Sequence, residues 1–145
     1  MPTVADLIKS KGSQVFTVDE LATVLDAARE MNAKRVGALV VTRGGGGQVA
    51  GIFTERDILT RVVAGERDPK TTRVRDTMTP DPIICALNTD LDQVRAVIRE
   101  KRVRHIPVVE RGELRGLVSI GDLNQIEARI LAETIVYLEQ YAVRT

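Results

Sequence analysis

Apolar positions along the chain alternate between two periods. Short runs of β-branched and other apolar residues at 15–18, 37–42, 48–53, 83–86, 106–109 and 114–118 predict strands. Between them, Leu21, Val24, Leu25, Ala28 and Met31 recur at helical spacing, as do Leu91, Val94 and Ile98, and each set gives one apolar face. Thr54 opens a further helix running to about Gly65, and Ser119 opens the last one. A polar stretch at 66–72, broken by Pro69, reads as a linker.

Slid against itself, the chain repeats. Val4 and Asp6 match Val74 and Asp76 at a separation of about 70 residues, and Leu21, Val24, Arg29 and Glu30 match Leu91, Val94, Arg99 and Glu100 at the same separation. Val40 and Val41 then match Val108 and Val109, two residues closer. Gly51, Ile52, Thr54, Asp57 and Ile58 match Gly116, Leu117, Ser119, Asp122 and Leu123, closer again by the three residues that separate the long turn at 42–48 from the short one at 110–113. Each copy reads strand, helix, strand, strand, helix. Residues 1–68 form the first repeat with an N-terminal helix, and 69–145 the second with the linker and a long final helix. A unit of about 60 residues buries little core alone, so the two sheets are expected to pack on each other. On the final helix, Ile126, Ile130, Ile135, Leu138 and Tyr141 form an apolar stripe that either covers this core or meets another chain.

Composition narrows the function. With 43% hydrophobic and 28% charged residues the chain is a folded globular protein, and a net charge of +1 exerts no general pull on nucleic acid or anionic membrane. Cys85 and His105 are each single, which excludes an internal disulfide framework, a thiolate metal cage and a two-histidine mechanism. No apolar run approaches about 20 residues, and residues 1–11 lack the apolar centre of a signal peptide, so a cytoplasmic protein without a membrane partner is expected. The glycines at 44–47 precede no Gly-Lys-Ser/Thr and read as a hairpin tip rather than a phosphate loop. Arg99 and Arg102 read as a solvated helix face, with Arg104 set apart by its place before Pro107 and a strand. Only 3% of residues are aromatic, which leaves little for stacking bases of a nucleic acid.

The candidate chemistry lies in a motif present twice, Gly51-Ile52-Phe53-Thr54-Glu55-Arg56-Asp57 and Gly116-Leu117-Val118-Ser119-Ile120-Gly121-Asp122. A strand ends in a hydroxyl, and a carboxylate follows on the first turn of a helix. Free backbone N–H groups there favour phosphate, and the carboxylate can accept both hydrogens of a ribose diol. The same spacing is also a helix capping box, and duplicated units would share their caps. His105 as a general base has no nucleophile near it in sequence, and Glu55 is open between facing a ligand and facing solvent.

These paired motifs, the Arg104-His105-Ile106-Pro107 segment and the Val74–Met78 stretch together resemble a tandem pair of CBS domains, and the likeness covers residues 4 to about 130. The resemblance implies an α+β fold of two β-α-β-β-α repeats packed sheet to sheet with pseudo-twofold symmetry, closed by an extended C-terminal helix. It implies two clefts for AMP, ADP, ATP, NAD(H) or S-adenosylmethionine, with no catalytic cofactor and no metal. One cleft would use Thr54, Arg56 and Asp57, with Ile83, Ile84 and Cys85 along the base and Arg104 and His105 at phosphate. The other would use Ser119 and Asp122, with Val15, Phe16 and Thr17 along the base. Aligned on the strands, Arg104 and His105 stand opposite Val36 and Gly37, and Arg56 opposite Gly121, so the Asp57 cleft collects the basic groups. The resemblance further implies a non-enzymatic regulatory module, a homodimer and a separate effector protein. A nucleotide-processing enzyme or a nucleic-acid binder are the competing readings, separated by an ATP turnover assay and a salt-dependent gel shift.

Overall fold

The chain was analysed as a computed structural model that describes residues 2–45 and 47–144, with side chains through 142. Met1 and Gly46, part of the N-terminal and hairpin-tip readings, lie outside the described residues. The order is α1 (Val4–Lys11), β1 (Thr17–Asp19), α2 (Val24–Lys34), β2 (Ala38–Arg43), β3 (Gln48–Thr54) and α3 (Glu55–Asp57), continued by a π-helical stretch Ile58–Val63. A 3₁₀ turn at Val74–Asp76 then leads to β4 (Thr79–Pro80), α4 (Leu91–Lys101), β5 (His105–Glu110), β6 (Glu113–Ser119) and α5 (Ile120–Arg144). β1 runs parallel to β2, and β2, β3 and β4 are antiparallel in turn, giving one four-stranded sheet; β5 and β6 form a two-stranded one. The fold is α+β with two copies of one repeat, the second reduced at its first strand.

The strand expected at 83–86 does not form; only Cys85 bridges to Val108, through Cys85 N–H to Pro107 O and Val109 N–H to Cys85 O. Hydrogen bonds are lost on both sides of this bridge: Leu87 N–H turns to Glu110 Oε1 at 3.0 Å, and on the other side a donor is missing. In the first copy Val40 N–H donates to Phe16 O at 3.1 Å, and by strand register the counterpart of Val40 is Pro107, which has no N–H to give.

Strand register also corrects how the two copies align. Ala38 pairs with Thr54 and His105 with Ser119, and Val41 pairs with Gly51 as Val108 does with Gly116. The helices agree: the buried faces are Val24, Ala27 and Met31 in α2, and Leu91, Val94 and Ile98 in α4. Both helices end in a left-handed Arg, Arg35 and Arg102. Val24, not Leu21, is therefore the equivalent of Leu91, and Leu21 lies outside the helix at 51% exposure. A slip of three residues on a helix keeps nearly the same face, so the apolar pattern fits either register. As a result Arg104 and His105 correspond to Gly37 and Ala38 rather than to Val36 and Gly37.

Two apolar clusters form the core, and they exchange segments. Val24, Ala27, Met31, Leu39, Val41, Phe53 and Val62 of the first copy enclose Val74 and Met78 from beyond the linker. Leu91, Val94, Ile98, Ile106, Val108, Val118 and Leu123 enclose Val4 and Leu7 from α1. Backbone hydrogen bonds fix both exchanges: Val4 N–H to Thr89 O and Ala5 N–H to Leu87 O, against Val74 N–H to Ala22 O and Arg75 N–H to Glu20 O. The motif glycines make room for the exchanged segments. A Cβ on Gly51 would lie 2.6 Å from both Met78 Sδ and Thr79 O, and one on Gly116 would lie 2.7 Å from Ile8 Cδ1. α5 joins the second cluster through Leu123 and Ile126, but from Glu127 onward its side chains are exposed as far as they are described. Ile130, Ile135, Leu138 and Tyr141 therefore do not cover this core. Among the described residues no helix is long and apolar enough to cross a membrane.

Candidate functional site

Where the two copies meet they leave two clefts of different size. The first has a cavity volume of about 1550 Å³, and the second one of about 230 Å³. Gly37 and His105 line both and so stand between them.

The first cleft is built from the end of β3 and the helix after it, from the chain around Asp81–Ile83, and from the end of α4 into β5. Thr54, Arg56, Asp57, Ile83, Arg104 and His105 all line it. Asp57 is 7% exposed, and its Oδ2 accepts from Thr54 N–H at 2.9 Å and Thr54 Oγ1 at 3.2 Å, while Asp57 N–H donates back to Thr54 Oγ1 at 3.3 Å. The motif is thus a reciprocal capping box, the structural reading of this spacing. The other oxygen, Oδ1, lies 3.7 Å from Arg61 Nε. Arg61 Nη1 in turn donates to Met78 O at 2.8 Å and Thr77 O at 3.2 Å, tying the motif helix to the segment beyond the linker.

In the second cleft Ser119 N–H donates to Asp122 Oδ2 at 3.0 Å and Asp122 N–H donates back to Ser119 Oγ at 3.1 Å. Here the carboxylate has a further partner. Lys11 Nζ donates to Asp122 Oδ2 at 2.6 Å and to Leu117 O at 2.7 Å. Burial pushes the Asp122 carboxyl upward, but hydrogen bonds from Lys11 and Ser119 and the Lys11 charge outweigh it, leaving the group below the usual carboxylate value. Val15 and Phe16 line this cleft, and Lys34 Nζ sits 5.5 Å from the Phe16 ring centre.

Three residues expected along a base stand elsewhere. Ile84 is 52% exposed and outside the first cleft, and Thr17 is outside the second. Cys85 packs on the second apolar cluster, where burial pushes its thiol up to about 11. Lys101 and Arg102 are exposed and line the first cleft; Arg102 stands at the end of α4 as the left-handed cap that turns the chain toward β5. Glu55 also lines that cleft, against Gly37. Lys11 and Arg61 were not among the sequence candidates. Arg61 had a signal in its i,i+4 spacing from Asp57, whereas Lys11 reaches Asp122 only through the exchange of α1.

The first cleft thus gathers the guanidinium groups of Arg56, Arg61, Arg102 and Arg104 with Lys101, beside the carboxylates of Glu55, Asp57 and Asp81. Such an arrangement holds a polyanion carrying a hydroxylated part.

The model of the CBS domain matches residues 4–64 and 74–128, one match for each copy. The mitochondrial CBS domain-containing protein CBSX3 of Arabidopsis thaliana is 38% identical over 130 residues, 83% of this chain and 62% of its own. CBSCBSPB2 of the same plant is 37% identical over 77% of this chain, which covers only 21% of it, so the chain spans part of these relatives' lengths. Among solved structures, a putative signal-transduction protein with CBS domains from Burkholderia ambifaria superposes with a TM-score of 0.80 at 41% identity, over 86% of this chain and 92% of that one. The CBS domain protein PAE2072 from Pyrobaculum aerophilum, solved as a complex with AMP, gives a TM-score of 0.75 at 28% identity, over 83% of this chain and 89% of that one. With one matched domain in each copy and the same fold in these structures, the chain belongs to the CBS domain family and carries a tandem pair of its domains.

Proposed function

We propose that the chain binds an adenine nucleotide in the first cleft and signals its occupancy to a separate effector protein. The observation that carries this reading is convergence: Thr54, Arg56 and Asp57 from one copy and Ile83, Arg104 and His105 from beyond the linker line one cavity. Asp57 takes the ribose diol through Oδ1, Ile83 lies along the base, and Arg56 and Arg104 meet phosphate. Lys101 and Arg102 add charge, which favours ATP over AMP. The AMP complex of the Pyrobaculum protein supports the ligand class. Ligand that joins the two copies biases their relative placement, which a partner can read. A cytoplasmic homodimer is the form proposed for the working module.

A thermal-shift screen with AMP, ADP, ATP, NAD, NADH and S-adenosylmethionine tests the ligand class, since a ligand at about a hundred times its dissociation constant adds roughly 2.7 kcal/mol of stability. Calorimetry tests the site. Asp57→Ala loses a charged hydrogen-bond acceptor worth roughly 1.5–3 kcal/mol, an expected weakening of about ten- to a hundredfold. Asp57→Asn, which keeps an oxygen for the cap, separates lost binding from lost folding. Unchanged ATP affinity in a folded Asp57→Ala protein overturns the assignment.

A further inference from the structure

The two clefts differ in more than size, because only the second holds a cation sent from the other end of the chain. We propose that Lys11 is a built-in occupant of the second cleft, engaging Asp122 in place of a ligand, so that each chain binds one nucleotide until Lys11 is displaced. This rests on reading the first cleft as a nucleotide site.

Three observations carry it. Lys11 Nζ has two close acceptors inside the cleft, Asp122 Oδ2 at 2.6 Å and Leu117 O at 2.7 Å, so the side chain is directed rather than loose. The helix that delivers it is anchored on both flanks: Val4 and Leu7 are buried in the second cluster, and Ser10 Oγ accepts from Arg129 Nη1 of α5 at 3.1 Å. The first cleft has no equivalent, because its exchanged segment is built differently. After Val74 the chain makes a single 3₁₀ turn and then runs as β4 along β3, pairing Thr79 with Ile52, instead of continuing as a two-turn helix. Beyond its Thr54 cap, the cation beside Asp57 among the described residues is Arg61, one turn further along the same helical stretch at 3.7 Å, and about 1550 Å³ stays open against about 230 Å³. Lys11 sits on Oδ2 of Asp122 within a cleft of about 230 Å³, so a diol that engages both carboxylate oxygens there must displace a charge-assisted bond already made.

Titration calorimetry with ATP, repeated with AMP, reads the stoichiometry. The wild-type chain is expected to take one nucleotide, Lys11→Met two, and Lys11→Arg, which keeps the cation, one. Adding Asp122→Ala to Lys11→Met should return the count to one. In the Asp57→Ala background, Lys11→Met should restore a single binding event. Two nucleotides on the wild-type chain, or one on a folded Lys11→Met chain whose first site is unchanged, overturns the proposal. Absence of binding in every variant overturns the nucleotide reading instead, and a ligand-free measurement keeps the two apart. The Asp122 carboxyl, followed by carbon NMR, should titrate higher in Lys11→Met than in the wild type, and no change means that Lys11 does not hold it.

Discussion

At the scale of single residues, the position between the two clefts belongs to His105. Burial lowers its pKa below 6.5; Asp122 and Glu55 pull it up, while Arg104 and Lys11 push it further down. Because the folded value is depressed, the associated stability is complete above the unfolded value of 6.5 and is lost as pH falls through the lower folded one. Proton NMR of the imidazole should therefore show a midpoint below 6.5, and stability to urea should drop between about pH 7 and about pH 5 by more than in His105→Gln. A midpoint at or above the ordinary value contradicts the burial seen here. His105, Asp57 and Asp122 were legible because each sits in a segment whose residue types and spacing carry chemistry. Lys11 was not. Its role comes from a sequence separation of 111 residues being folded back, and nothing local to it signals Asp122.

At the scale of elements, alternating apolar periods predicted most strands and helices and the turn between β2 and β3. The missing strand near Cys85 depended on Pro107 and on Glu110 drawing off Leu87 N–H, both in a neighbouring strand, which a reading of 83–86 alone does not include. The three-residue slip between α2 and α4 was hidden because helical periodicity tolerates it. In sequence the motif glycines read as part of a ligand site, yet both have a packing cause. These differ in kind: Gly51 faces the Thr79 carbonyl of the backbone, and Gly116 faces the movable tip of Ile8. Gly51→Ala is expected to cost about 1–3 kcal/mol as an overpacked site, and Gly116→Ala less than about 1 kcal/mol. Urea midpoints for the two variants check this, and equal losses would show that Ile8 is as fixed as the backbone.

At the scale of the whole molecule, the duplication was plain in the sequence, but the exchange of leading segments was not. An apolar face says that a segment is buried without saying where, and Val4 and Val74 look alike in either half. Exchange joins the halves into one folding unit. Phe53 is fully buried in the first cluster, and Phe53→Ala should cost about 3–5 kcal/mol. Hydrogen exchange should show the same loss at the amides of Val118 and Phe53, because opening the first cluster releases Val74 and Met78, while α1 ties the second cluster to the same chain. Protection retained at Val118 alone would mean that the halves open separately. The exposed end of α5 has a mechanical consequence. Leu123 is the last fully seated residue, and at 1.5 Å per residue Tyr141 lies about 27 Å further along a straight rod. A tilt of about 5° at the base then sweeps the tip through about 2 Å, so the helix acts as a lever that enlarges small adjustments between the halves.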